Sequence, residues 1–124
     1  MIILDYQDRR PLYEQVAEKF QMLILQGAIP AGEKIPSVRQ LAVELSINPN
    51  TIQRAYMELE QAGLIYPVKG RGNFVADVEK IRKKRVEDYK TELRRAVHEG
   101  LELGIQKEEL LAVVSECCGE ERYD

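Results

Sequence analysis

Between Pro36 and Val75 the apolar residues repeat twice with a helical period and then fall into two short runs around a glycine-rich stretch. Val38, Leu41, Ala42 and Leu45 recur at i, i+3, i+4 and i+7, so one face of a helix is apolar and has to be buried. Ile52, Ala55, Tyr56 and Leu59 repeat that pattern. Each helix carries its own start signal. Ser37 with Gln40 three residues on reads as a capping box, and Asn48 followed by Pro49 reads as an N-cap with proline at the first helical position. Two capped helices therefore face one core across Ser46-Ile47-Asn48. Gly63 suits the left-handed position that closes a helix, after which Leu64-Ile65-Tyr66 and Asn73-Phe74-Val75 read as paired strands around Lys69-Gly70-Arg71-Gly72.

The flanks complete the pattern. Upstream, Leu12, Val16, Phe20, Leu23 and Ile24 form a stripe that ends at Gly27, and Ile29 and Ile35 flank a Pro-Gly turn where a short strand fits beside the hairpin. Downstream, Val86, Tyr89, Leu93, Val97 and Leu101 continue at near-heptad spacing up to Gly104. Leu110, Leu111, Val113, Val114 and Cys117 then form a second, shorter apolar helix, with Gln106 standing just before Lys107-Glu108-Glu109. The predicted fold is mainly α with a small β-wing: a winged helix-turn-helix over residues 1–76 and a two-helix tail over residues 77–124, hinged at Ala76-Asp77-Val78. Two short helices cannot bury both apolar faces against so small a winged domain. The expected solution is a two-fold homodimer through Tyr89, Leu93, Val97, Leu101, Leu110, Val113 and Val114, the alternative being a tail folded back on its own chain.

What stays outward on the second helix of the pair is Asn50, Thr51, Gln53 and Arg54, a hydrogen-bonding set with one cation near the helix start. A helix entering the major groove needs that chemistry there, because amides and Arg match base-edge donors and acceptors while backbone N–H groups face phosphate. Lys69, Gly70 and Arg71 form the hairpin tip, which reads either as a cationic wing that approaches a phosphate or the minor groove, or as an ordinary solvated turn. Lys80-Ile81-Arg82-Lys83-Lys84-Arg85 likewise reads as a contact to flanking phosphates or as the solvated face of a helix.

Charge and size change this picture little. The chain of 124 residues carries a formal net charge of −3. Residues 1–76 hold eight cations and eight anions, and the excess of acid lies entirely beyond them. Binding by a small dimer depends on local cations at Arg39, Arg54, Lys69 and Arg71 rather than on the sum. The Met1-Ile2-Ile3-Leu4 start is too short for a signal peptide or a membrane span, so a soluble, cytoplasmic protein is expected.

Pro11-Leu12-Tyr13-Glu14-Gln15-Val16, the run from Gly27 to Ala42 and Asn50-Thr51-Ile52-Gln53-Arg54-Ala55-Tyr56 resemble the GntR family of bacterial transcription regulators. The resemblance continues through Leu59-Glu60-Gln61-Ala62-Gly63-Leu64-Ile65 and Gly70-Arg71-Gly72-Asn73-Phe74-Val75. The short remainder resembles the YtrA subfamily, whose two-helix tail serves dimerisation and whose commonest role is repression of transporter operons. The resemblance implies that Arg39 contacts guanine, that Asn50, Thr51 and Arg54 are recognition-helix contacts, that Lys69 and Gly70 reach the minor groove, and that Ser37 meets a phosphate. Gln53 stands where other members often carry a base-reading Arg or Ser. A bidentate Arg to guanine is worth about 1–3 kcal/mol of discrimination, whereas the competing reading of Arg39 is a surface ion pair with Glu44 or a nearby acid. Tyr56 lies on the apolar stripe and is expected in the core.

Enzyme chemistry finds no support in the sequence. His98 is the one histidine, with Arg95 and Glu99 near it and no acid triad or second ligand. Cys117 and Cys118 are adjacent, which is not a zinc spacing and strains a mutual disulfide. They are expected as buried or half-buried thiols, with redox sensing through an inter-subunit disulfide as the alternative. No cofactor or metal is expected. The competing function classes are a winged-helix protein-interaction module, which has no use for Arg39, Asn50, Thr51, Arg54 and a cationic wing together, and a ligand-responsive sensor, for which the short tail leaves little room.

Overall fold

The computed structural model describes residues 2–119. Met1 of the apolar start and residues 120–124 of the expected tail lie outside the described residues. The chain divides into two compact units, Met1–Lys80 and Ile81–Asp124.

The first unit holds α1 (Leu12–Gln26), α2 (Val38–Leu45), α3 (Pro49–Gln61), β1 (Ile65–Val68) and β2 (Gly72–Val75). Val16, Phe20 and Ile24 of α1 are buried, Leu12 and Leu23 only half so, and the helix closes at Gly27 with φ 84°. α2 starts on a reciprocal cap: Ser37 Oγ accepts from the Gln40 N–H at 3.1 Å, and the Ser37 N–H donates to Gln40 Oε1 at 2.9 Å. It ends at Ser46, whose φ of 57° turns the chain and lets the Ile47 N–H reach Ala42 O at 3.0 Å. α3 starts three residues later, with Asn48 Oδ1 accepting from the Asn50 N–H at 2.8 Å and Pro49 opening the helix.

The α3 stripe packs against both α1 and α2, so the stripes share one core. Leu41, Ile52, Leu59, Leu64 and Val75 are fully buried. The Phe20 and Tyr56 rings meet edge to face, 5.7 Å between centres, and the Tyr56 hydroxyl donates to the Pro36 carbonyl at 2.7 Å. Burial raises the Tyr56 pKa above its ordinary value, and the charge of Glu44 adds to the shift.

The hairpin is antiparallel, with Ile65 opposite Val75 and Val68 opposite Gly72. The anticipated third segment lies against β2: Lys34 bridges to Phe74, the Ile35 N–H donates to Asn73 O at 3.0 Å, and the Val75 N–H donates to Glu33 O at 2.9 Å. One core residue is invisible to hydrophobic patterning. Gln15 is buried because it ties down the chain before α1: Oε1 accepts from the Asp5 N–H at 2.9 Å, and Nε2 donates to Asp5 O at 3.1 Å and Arg10 O at 3.2 Å.

The tail helices are α4 (Glu79–Glu102) and α5 (Lys107–Cys118). The Asp77 carboxylate accepts from the Glu79 N–H at 3.2 Å where α4 begins. Past Glu102 the chain turns at Gly104, φ 91°, and the Ile105 N–H folds back to Gly100 O at 3.0 Å. Gly100 is buried, and a Cβ there would stand 3.3 Å from Leu110 Cδ2, so α5 seats against the last turns of α4. The start of α5 is closed from Glu109, whose Oε1 accepts the Gln106 N–H at 3.1 Å. Arg95 pairs with Glu92 at 2.7 Å and Glu99 at 3.3 Å, and its guanidinium holds the Glu92 carboxyl below the usual carboxylate range. Exposed pairs of this kind add little stability.

The two thiols are exposed rather than buried or half-buried as expected: α5 turns its Leu110 side toward α4 and leaves the end that carries Cys117 and Cys118 uncovered. Among the described residues no helix is long and apolar enough to cross a membrane.

Replacing Tyr56 by Phe removes one hydrogen bond and leaves the Pro36 carbonyl without its partner, so stability at neutral pH should fall by about 1 kcal/mol. The alkaline limb adds a sign. The unfolded tyrosine, with its ordinary pKa near 10, releases its proton while the folded one keeps it, so stability falls as pH rises above 10. Denaturant unfolding from pH 9 to 11 should show a smaller pH slope in Tyr56→Phe than in the natural protein.

Candidate nucleic-acid interface

Because Ile52, Ala55, Tyr56 and Leu59 turn α3 inward, Asn50, Gln53 and Arg54 are exposed on its first two turns, with Thr51 half-buried beside the core. The two caps set where these residues fall. Asn48 and Pro49 place Asn50 at the helix start, where amides and backbone donors coincide. Ser37 places Arg39 in the first turn of α2. Arg39 is exposed, and among the described residues no ion pair joins it to Glu44 or to any other acid. The Ser37 oxygen is engaged by its cap, which leaves the hydroxyl proton for an acceptor from outside.

Arg54 does not project freely. Its guanidinium carbon lies 3.8 Å from the centre of the Tyr13 ring, and Nη2 donates to the Tyr13 hydroxyl at 3.1 Å. Pro11, Leu12 and Tyr13 from the start of α1 and Asn50, Thr51 and Arg54 from α3 line an open cleft of about 420 Å³. Sequence reasoning missed Tyr13 as a site residue. It lies 41 positions from Arg54, and no local pattern marks such a pair.

At the wing the Arg71 N–H closes on Val68 O at 2.9 Å with Gly70 at φ 78°, the arrangement of a type II turn that glycine favours at its third position. Lys69 and Arg71 are exposed on that tip. Lys34 is the second residue missed. Gly72 has φ 118°, and a Cβ on it would stand 2.9 Å from Lys34 Cε, so the lysine stem crosses the wing where a side chain is absent. Lys34, Lys69 and Arg71 thus put three cations on the wing and its supporting segment.

The second unit carries a different surface. Leu93, Ala96, Val97, Leu101, Lys107, Leu110, Leu111, Val113 and Val114 line a cavity of about 430 Å³, apolar except for Lys107. Tyr89 lies outside that lining and is 71% exposed. Val97 and Leu110 are half-buried, whereas Leu93, Leu101, Val113 and Val114 are about half exposed. His98 is exposed on α4, and among the described residues no group of three or more His, Cys, Asp and Glu side chains could hold a metal ion.

Comparison with known proteins adds an independent line. Residues 12–75 match the family described as bacterial regulatory proteins, gntR family. The chain is 42% identical over 77 residues to the HTH-type transcriptional repressor YtrA of Bacillus subtilis, a match covering 62% of this chain and 59% of that protein. A GntR family transcriptional regulator from Listeria monocytogenes superposes with a TM-score of 0.71 at 38% identity, covering 91% of this chain and 98% of that one. The structure of AraR(DBD) in complex with operator ORR3 superposes with a TM-score of 0.53 at 36% identity, covering 60% of this chain and 89% of that one.

Gly72→Ala should strain a positive φ and push Lys34 off the wing. Stability should fall by about 1–2 kcal/mol by denaturant unfolding, with amide shifts centred on Lys34 and β2.

Proposed function

We propose that this chain, which belongs to the GntR family of bacterial DNA-binding transcription regulators and resembles its YtrA members, works as a homodimeric repressor on a two-fold symmetric operator. The observation that carries the DNA-reading part is Arg39, exposed on a capped helix and in no ion pair among the described residues, together with a hydrogen-bonding α3 start. In this reading Arg39 grips guanine through O6 and N7, and Asn50, Thr51 and Gln53 address neighbouring base edges. The Ser37 hydroxyl meets a phosphate. Lys69, Gly70 and Arg71 follow the backbone into the minor groove, where a glycine tip permits close approach.

The dimer is supported by the apolar cavity of the second unit, since water-exposed Leu and Val at that density favour association. A second copy supplies matching apolar surface and a two-fold axis, and two-fold symmetry in the protein implies two-fold symmetry in the site, with half-sites about one helical turn apart. Repression is favoured by the name of the Bacillus subtilis relative, a transcriptional repressor. Resemblance to that subfamily makes transporter operons the first genes to seek beside any recovered site.

Selection of genomic fragments by the purified protein, in parallel with Arg39→Ala, tests the reading. The natural protein should recover a symmetric site, and the variant should lose it or accept substitutions at one position of each half-site, with a penalty of about 1–3 kcal/mol. Recovery of unrelated fragments by both would move the interaction-module reading ahead. Leu93→Asp should yield monomers in sedimentation and weaken binding to the whole site far more than to a half-site. A variant that remained dimeric would place the interface elsewhere.

A further inference from the structure

We infer that Arg54, held in place by Tyr13, takes a single backbone phosphate of the DNA rather than a base edge. This assignment rests on the DNA-binding reading and changes the role that family resemblance gives Arg54.

Two contacts hold the guanidinium: its central carbon lies over the Tyr13 ring, 3.8 Å from the centre, and Nη2 donates to the phenol oxygen at 3.1 Å. Reading guanine requires two parallel N–H groups on one edge of the guanidinium, aimed together at O6 and N7. With the group held over the ring and one nitrogen turned to Tyr13, that freedom is reduced. A phosphate accepts from whichever N–H groups remain, because its oxygens present acceptors over a wide range of directions.

The surroundings fit the same ligand. Beside Pro11 and Leu12, the cleft is lined by a cation, a phenol, an amide and a hydroxyl from Arg54, Tyr13, Asn50 and Thr51, with no carboxylate among its lining residues. Glu14 lies outside that lining and accepts the phenol proton at 3.3 Å, which leaves the phenol oxygen as the acceptor for Arg54. Tyr13 is then a positioning residue. Its ring restricts a side chain that would otherwise sample many rotamers, so less freedom is lost when the phosphate arrives.

The test titrates a random-sequence duplex and the duplex recovered by selection over a range of salt concentrations. Arg54→Ala should weaken both by the same factor, about tenfold, the loss of one charge-assisted hydrogen bond. The salt slope should fall by about one, and repeated selection should return the same base preferences. Arg54→Lys, which keeps the charge, should restore the slope. Tyr13→Leu should weaken binding about threefold alone and add nothing in the Arg54→Ala background, whereas Tyr13→Phe, which keeps the ring, should stay within about twofold. A changed base preference with an unchanged slope would return Arg54 to base reading, and additive losses would remove Tyr13 as its support. Should the natural protein select no sequence at all, the regulator reading fails, while the slope on the random duplex still decides the role of Arg54.

Discussion

Tyr56 ties three segments of the first unit together. Its ring meets Phe20 of α1 edge to face, its backbone belongs to α3, and its hydroxyl holds the Pro36 carbonyl just ahead of α2. A phenol suits this position because one end is apolar and the other must find a partner when buried. Phenylalanine would fill the space without the tether. The consequence is directional: with Tyr56, Ile52, Ala55 and Leu59 turned inward, the remaining face of α3 has nowhere to go but solvent.

Within that frame, the caps decide which residues become useful. Ser37 and Gln40 close the start of α2, and Asn48 with Pro49 closes the start of α3, so Arg39 and Asn50 both lie in first turns. The wing is held to the same core from two sides. Leu64, Ile65 and Val75 are buried, and the segment Gly32–Ile35 adds hydrogen bonds along β2. A tip of Lys69, Gly70 and Arg71 can then be exposed without being adrift.

Patterns that act over three or four residues were legible in the chain. The stripes of α1, α2 and α3, both caps, the glycine after α3 and the hairpin follow from periodicity and turn chemistry alone. What escaped depends on distance in sequence or on polar burial. Gln15 looks like a surface residue until the carbonyls of Asp5 and Arg10 come to it. Tyr13 and Arg54 meet only because α1 and α3 pack together, and Lys34 crosses Gly72 only because its segment lies beside β2. Cys117 and Cys118 were misjudged for a related reason: apolar spacing on a short helix says which face is apolar, not whether anything in the same chain covers it.

The two units therefore rest on different physics. The first has a closed core and spends its outward faces on hydrogen-bonding and cationic side chains, whereas the second leaves much of its apolar surface open. The central claim is that DNA is received by the starts of α2 and α3 and the wing tip. Amide chemical-shift mapping of the labelled protein during titration with duplex DNA addresses it most directly. Shifts should gather on residues 37–40, 48–54 and 69–72 and at Tyr13. Shifts confined to α4 and α5, or none at saturating duplex, would contradict the account.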